Sequence, residues 1–217
     1  MIEELDTLLN GKRICVLMTC DKPQYIERRT KHEAIYKKIQ DSGFIFVYLI
    51  CEPNEKSAFH LTHDPQTDRY TLRIPMEESY SGLPTKMVYC YSFFNQFTIK
   101  GILKIDDDVS HIDNSVLEYP FDSCDYTGAK FVVVSSTCVG DPAKPEDLTY
   151  IDIGPKPIKY YGGPFYWVSK RTLGTIVELG AKFPWEDVNT GYAMTRIAKC
   201  KIAMNDWFED GLVLWAA

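Results

Sequence analysis

The 217 residues predict one α/β domain, a mixed but mainly parallel central sheet flanked by helices. Two continuous apolar runs, Arg13-Ile-Cys-Val-Leu-Met18 and Phe44-Ile-Phe-Val-Tyr-Leu-Ile50, read as strands buried on both faces. Between them a helix of about 15 residues, from near Tyr25 to Gln40, closes at Asp41-Ser42-Gly43 and completes a strand–helix–strand unit. No internal repeat, low-complexity tract or interdomain linker divides residues 1–217.

The remaining elements follow in order. Asn54 to Arg73 is polar and mixed, a loop with a short edge strand at Arg69-Tyr-Thr-Leu-Arg-Ile74. Pro84 suits the first turn of a helix, and Met87, Val88, Tyr91, Phe94 and Thr98 recur at helical spacing, a stripe we assign to the core. Ile102–Ile105 and Lys130-Phe-Val-Val-Val-Ser135 read as further strands, and Thr137 to Lys159 as an irregular surface segment. After Tyr160–Ser169 comes a helix capped by Gly180, and Phe183-Pro-Trp-Glu-Asp-Val188 opens a last helix to about Lys199. The apolar end Leu212-Val-Leu-Trp215-Ala-Ala reads as an interrupted element, so residues 1–217 are expected to be a domain cut from a longer protein.

Composition narrows the function. The net charge of -6 disfavours a nucleic-acid partner, which calls for a basic face. The aromatic share of 13%, with 14 Tyr and 4 Trp, suits clefts that stack on sugars, although aromatics also fill cores. Cys15, Cys20, Cys51, Cys90, Cys124, Cys138 and Cys200 are widely spaced, odd in number and without a CxxC pair, which points to reduced thiols and a cytoplasmic setting. Met1-Ile-Glu-Glu-Leu-Asp6 is no signal peptide, and no apolar run reaches the ~18–20 residues of a membrane span.

The chemistry centres on Asp106-Asp107-Asp108, which ends the apolar run Gly101-Ile-Leu-Lys-Ile105. Three adjacent carboxylates repel one another. A hard divalent cation, Mn²⁺ or Mg²⁺, relieves that repulsion while sharing substrate phosphates; an exposed acidic turn is the alternative for the triplet alone. Ligands of open α/β sheets sit beyond the strand carboxyl ends, where the triplet and the loop Thr19-Cys20-Asp21-Lys22-Pro23 both fall. Gly162-Gly163 lets backbone approach a ligand or makes a tight turn before a strand. Glu186-Asp187 either complements a helix dipole or supplies a general base.

Five segments then stand in one order. They are Glu27-Arg28-Arg29 with Tyr36; Glu78-Ser79-Tyr80 with Leu83 and Lys86; Leu103-Lys-Ile-Asp-Asp-Asp-Val109; Tyr161-Gly-Gly-Pro-Phe-Tyr-Trp-Val-Ser169; and Glu186-Asp187-Val188-x-x-Gly191. Together they resemble the Arg-Arg, "D-x-Y-x-N-L-x-x-K", "K-x-D-D-D-V", "C-x-G-G-G-Y-V-L-S" and "E-D-V-x-x-G" segments of the metal-dependent GT-A glycosyltransferases of the β-1,3-galactosyltransferase and Fringe type. The compact length is also similar to the soluble glycosyltransferase domains of large algal viruses, which implies a host cytoplasm.

The resemblance implies a Rossmann-like GT-A fold and transfer of a sugar from a UDP-sugar to a hydroxyl of a glycan acceptor, with Mn²⁺ or Mg²⁺. It makes Asp108 the direct metal ligand, puts Asp106 at the ribose or a metal-bound water, and has Asp107 support the site. Asp187 becomes the general base, with Glu186 second. Thr19 and Arg28 line the nucleotide site, Lys86 holds the Asp loop or the phosphates, and Gly162 and Gly163 form the floor. The family implies inversion, but other GT-A enzymes retain configuration.

The chain departs from the pattern where a late His usually adds a metal ligand: its histidines are His32, His60, His63 and His111. Asp206, Glu209 or Asp210 could substitute, or the ligand lies past Ala217, or diphosphate and water suffice. His60-x-x-His63 reads as a solvated loop rather than a metal pair. The family's lumenal disulfides are not evident. Two other classes share parts of these features: a noncatalytic sugar- or nucleotide-binding module, and a metal-dependent nucleotidyltransferase or phosphohydrolase.

Overall fold

Arg13–Met18 forms the first strand, β1. Ile14, Val16 and Met18 enter one apolar layer, Cys15 and Leu17 the other. A strand that is apolar throughout feeds both faces of a sheet and therefore needs helices on both sides.

The computed structural model describes residues 2–57, 59–134, 136–139, 149–152, 157–197 and 199–215. In chain order the elements are α1 (Ile2–Leu9), β1, α2 (Pro23–Lys31), α3 (Glu33–Asp41), β2 (Phe44–Cys51), β3 (His60–Asp64), β4 (Arg69–Ile74), α4 (Leu83–Phe94), β5 (Gly101–Asp106), β6 (Val109–Ile112), α5 (Asn114–Leu117), β7 (Tyr126–Val134), β8 (Ser136–Val139), β9 (Thr149–Asp152), β10 (Ile158–Ser169), α6 (Lys170–Leu179), α7 (Glu186–Arg196) and β11 (Val213–Trp215).

Seven strands form the main sheet in the order β3-β4-β2-β1-β5-β10-β7. β4, β2, β1 and β5 are parallel; β10 runs against β5 and β7, and β3 against β4. This is a mixed, mainly parallel sheet flanked by helices, compatible with a Rossmann-like fold. Met87, Cys90 and Tyr91 of α4, Leu173 and Ile176 of α6 and Met194 of α7 fill one face. Tyr36 and Ile39 of α3, Val116 and Leu117 of α5, Trp207 and Val213 fill the other. The chain builds outward from β1 to β2 and β4, then returns to β5 on the opposite side of β1. That reversal opens a crevice at the carboxyl ends of β1 and β5, where Met18 is in register with Asp106.

Several boundaries differ from the sequence expectation. The helix expected over Tyr25–Gln40 is two helices that meet at His32, whose Nδ1 is 3.0 Å from the Asp107 carbonyl oxygen. That tertiary contact outweighs continuous helical composition. The Asn54–Arg73 loop contains β3, so His60 and His63 lie on a strand, three positions apart and on opposite faces. His60 Nδ1 meets Glu55 at 2.8 Å and His63 Nε2 meets Asp68 at 2.9 Å, so each imidazole has its own carboxylate. The α4 helix ends at Phe94, leaving Thr98 in a loop. The strand at Lys130–Ser135 begins earlier, at Tyr126, and is described to Val134. Thr137–Lys159 is not irregular throughout, since β8 and β9 pair there as a hairpin; residues 140–148 and 153–156, like 216–217, lie outside the described residues. Gly162 and Gly163 sit inside β10 at an irregularity in its pairing with β7, not in a turn before a strand. The last helix ends at Arg196 rather than Lys199.

Candidate active site

At the crevice, Met18, Thr19, Cys20 and Lys22 face Asp106, Asp107 and Asp108 across a cleft of about 250 Å³. Tyr25 and Arg28 of α2 and Glu78, Ser79, Tyr80, Leu83 and Lys86 at the start of α4 complete its walls. Asp107 is buried and tied into the fold. Its Oδ2 accepts 2.8 Å from Thr19 Oγ1, and its Oδ1 lies 3.5 Å from Arg28 Nη1. Burial raises its pKa, opposed by the Thr19 hydrogen bond and the Arg28 charge. Arg28 keeps half its side chain exposed and stacks on Tyr25 at 5.3 Å, so a cation remains at the cleft mouth. Lys86 is only 1% exposed, donating to the Thr19 carbonyl at 2.6 Å and to Glu78 Oε2 at 2.7 Å. It therefore holds the loop after β1 rather than the Asp loop, and its ammonium is already committed.

Asp108 is handled differently. Its Oδ1 is buried yet accepts no hydrogen bond among the described residues. Burial, then the neighbouring charge of Asp106, pushes its pKa up to about 6. Asp106 Oδ1 lies 2.8 Å from Lys104 Nζ, an ion pair whose direction does not satisfy hydrogen-bond geometry. Lys104 is fully buried on β5 and also donates to Glu186 Oε1. Burial opposes its charge, but Asp106 and Glu186 outweigh that and hold the ammonium protonated. Glu186 Oε2 accepts from Tyr166 at 2.5 Å, and Tyr166 contacts the Tyr91 hydroxyl at 3.1 Å. Both Glu186 oxygens are thus engaged. Burial raises Glu186, against the pull of Lys104.

Asp187, one residue further on, turns the other way. Its Oδ2 accepts from the Gly163 amide at 3.2 Å and its Oδ1 from the Val188 amide at 2.7 Å. Burial raises its pKa, countered by Lys104 and these two amides. Gly163 has φ +81, and a Cβ there would meet the Trp215 ring at 3.4 Å. Gly191 explains how α7 reaches this position: a Cβ on it would lie 2.2 Å from Tyr160 Cβ, so only glycine lets the helix seat directly on β10.

Of the residues singled out from sequence, the cleft gathers Thr19, Arg28, Lys86, Asp106, Asp107 and Asp108. Lys104 links Asp106 to the segment with Glu186, Asp187, Gly162 and Gly163. Among the described residues, no three His, Cys, Asp or Glu side chains converge to hold a metal. Asp206 Oδ1 is buried without a hydrogen bond, but it completes no such group. The donor set therefore does not form an all-protein cage. The unpartnered Asp108 oxygen beside Asp106 does fit a hard cation that takes most of its ligands from diphosphate and water.

Sequence reasoning gave no role to Lys104, Tyr166 or His32, although Lys104 and Tyr166 stand within the segments it singled out. A lysine between Leu103 and Ile105 in a buried strand was the available signal, since an interior ammonium demands partners. No protein-family model matches the chain, and no curated protein matches it.

Proposed function

We propose that this chain is a GT-A-type glycosyltransferase that moves a sugar from a UDP-sugar to a hydroxyl of a glycan acceptor. The observation that carries this reading is Asp108 Oδ1, a buried carboxylate oxygen left without a hydrogen bond at the switch point of an α/β sheet. Leaving such an acceptor unpaired is costly, so the site is built for something that arrives with the substrate.

In this reading Asp108 and Asp106 would hold Mn²⁺ or Mg²⁺, which would supply counter-charge to a diphosphate leaving group, and Arg28 would face the phosphates. Thr19 and Lys86 act through the backbone and Asp107, fixing the loop after β1 against the end of β5. Asp187 accepts the proton of the acceptor hydroxyl. Burial favours that role by raising its basicity above that of an exposed aspartate. Glu186, held at both oxygens, positions Lys104 and the start of α7 instead.

The test is calorimetric titration of UDP, with and without Mn²⁺, on the wild type and Asp108→Ala. Metal-dependent binding lost in the variant upholds the reading. A folded wild type that binds no UDP with metal present sinks it.

A further inference from the structure

We propose that the groove between α2 and β4 is a second anion site, where a phosphate group takes Arg29 and Arg73 from Asp21. The proposal does not rest on the transferase reading.

The groove encloses about 430 Å³ and shares no lining residue with the cleft at the Asp triplet. The two lie on opposite sides of one loop and one helix. Cys20, Lys22 and Arg28 line the cleft, whereas Asp21 and Arg29 line the groove. Tyr48 of β2 and Arg69, Thr71 and Arg73 of β4 form its floor.

The three guanidinium groups differ in what they have left to give. Arg69 is spent: it donates to both Glu33 oxygens, to Gln40 at 2.8 Å and to the Tyr48 hydroxyl at 2.8 Å. Arg29 donates to Asp21 Oδ1 at 3.1 Å and lies over the Tyr48 ring at 5.3 Å, which fixes its plane. Arg73 is the unspent one. Its Nη1 is buried and makes no hydrogen bond among the described residues. Its Nη2 lies 3.8 Å from Asp21 Oδ2, too far for a hydrogen bond. A buried donor left unpaired is costly, and an oxyanion on the fork of Arg73 removes that cost.

Charge selects the oxyanion. Arg69 neutralises Glu33. Asp64 is exposed, and its oxygens accept from the Gln66 amide and the Thr67 hydroxyl, so solvent screens it. Arg29 and Arg73 therefore share one carboxylate, the half-exposed Asp21. A ligand that displaces it must carry more charge than a carboxylate does. A phosphate group carries about −1.5 to −2 near neutral pH, and its oxygens match the guanidinium fork.

Titration of inorganic phosphate into the full chain tests this, in metal-free buffer at physiological ionic strength, read on the arginine Nε–H signals by NMR. We expect the signals of Arg29 and Arg73 to shift and saturate together, and acetate to leave them in place. Arg73→Gln should weaken phosphate binding about tenfold or more. Asp21→Asn removes the competing carboxylate and should strengthen it about two- to fivefold, which keeps the proposal testable if Arg73→Gln fails to fold. Arg28→Gln alters only the neighbouring cleft and should change nothing at Arg29 and Arg73. Unmoved Arg29 and Arg73 signals, an equal response to acetate, weaker binding in Asp21→Asn, or binding lost in Arg28→Gln overturns the proposal.

Discussion

The end of β5 and the start of α7 treat adjacent carboxylates in parallel ways. At β5, Asp107 is secured by Thr19 and Arg28 while Asp108 keeps a buried oxygen unpaired. At α7, Glu186 is secured by Lys104 and Tyr166, while Asp187 rests on the amides of Gly163 and Val188. In each pair one acid is held by side chains and the other is not, and the second acids differ in what restrains them: Asp108 lines the cleft, whereas Asp187 is held by backbone amides. Asp187 keeps hydrogen bonds that fix its orientation, which is what the proposed base role requires. Asp108 Oδ1 has none, which is what the proposed metal role requires. Neighbours in sequence are therefore restrained in different ways, and Lys104 joins the two regions.

Breaking that joint should have the largest effect. Lys104→Met leaves Glu186 without a cation in a buried site, and urea denaturation should show a loss of about 3–5 kcal/mol. A loss below about 1 kcal/mol, the worth of an exposed pair, would mean the two regions are not coupled through Lys104. Next, Asp187→Asn should reduce sugar transfer by about 10²–10⁴-fold while leaving UDP affinity unchanged. A comparable drop from Glu186→Gln in a variant of normal stability would reverse the division of roles. Thr19→Val strips the donor from Asp107 Oδ2 and should cost about 1–3 kcal/mol of stability by the same denaturation assay.

Asp108→Asn should act in the opposite direction and by the smallest amount. In the folded chain Asp108 titrates at about 6, above the ordinary 3.8. Between those values the folded state keeps a proton that the unfolded state has released, so this group's stabilisation is lost as pH rises through the interval. The variant should melt a few degrees higher than wild type at pH 7, about 1 kcal/mol being worth ~2–4 °C at this size. The gap should close well below pH 3.8, where both states of wild-type Asp108 are protonated. A variant that melts lower at pH 7 would show that the carboxylate is already satisfied within the fold.

The parallel core was legible because β1 and β2 are continuous apolar runs whose residues feed both faces. The edges were not. β3 reads His60-Leu-Thr-His-Asp64 and is mostly exposed; Leu61 alone packs against the core and His63 stacks on Tyr70 of β4, which leaves no apolar alternation to detect. The break at His32 was hidden because its cause, the Asp107 carbonyl, lies 75 residues away. The same holds for the site. Asp106–Asp108 and Glu186-Asp187 stand out as charge patterns, but which carboxylate is tied down depends on partners from other elements. Gly191 was visible as a motif position, whereas its reason, contact with Tyr160, is purely tertiary.

The buried Lys104 also orders the assembly of the chain. Asp106 is two residues away, but Glu186 arrives 82 residues later. Until α7 docks, closing β5 between its neighbours would seal an ammonium in an apolar sheet with half its counter-charge. The last helix thus acts as a checkpoint for the central strand. Pulse-labelled hydrogen exchange during refolding should find β5 amides protected no earlier than those of α7, and β5 protection well ahead of α7 would show that the strand closes without it.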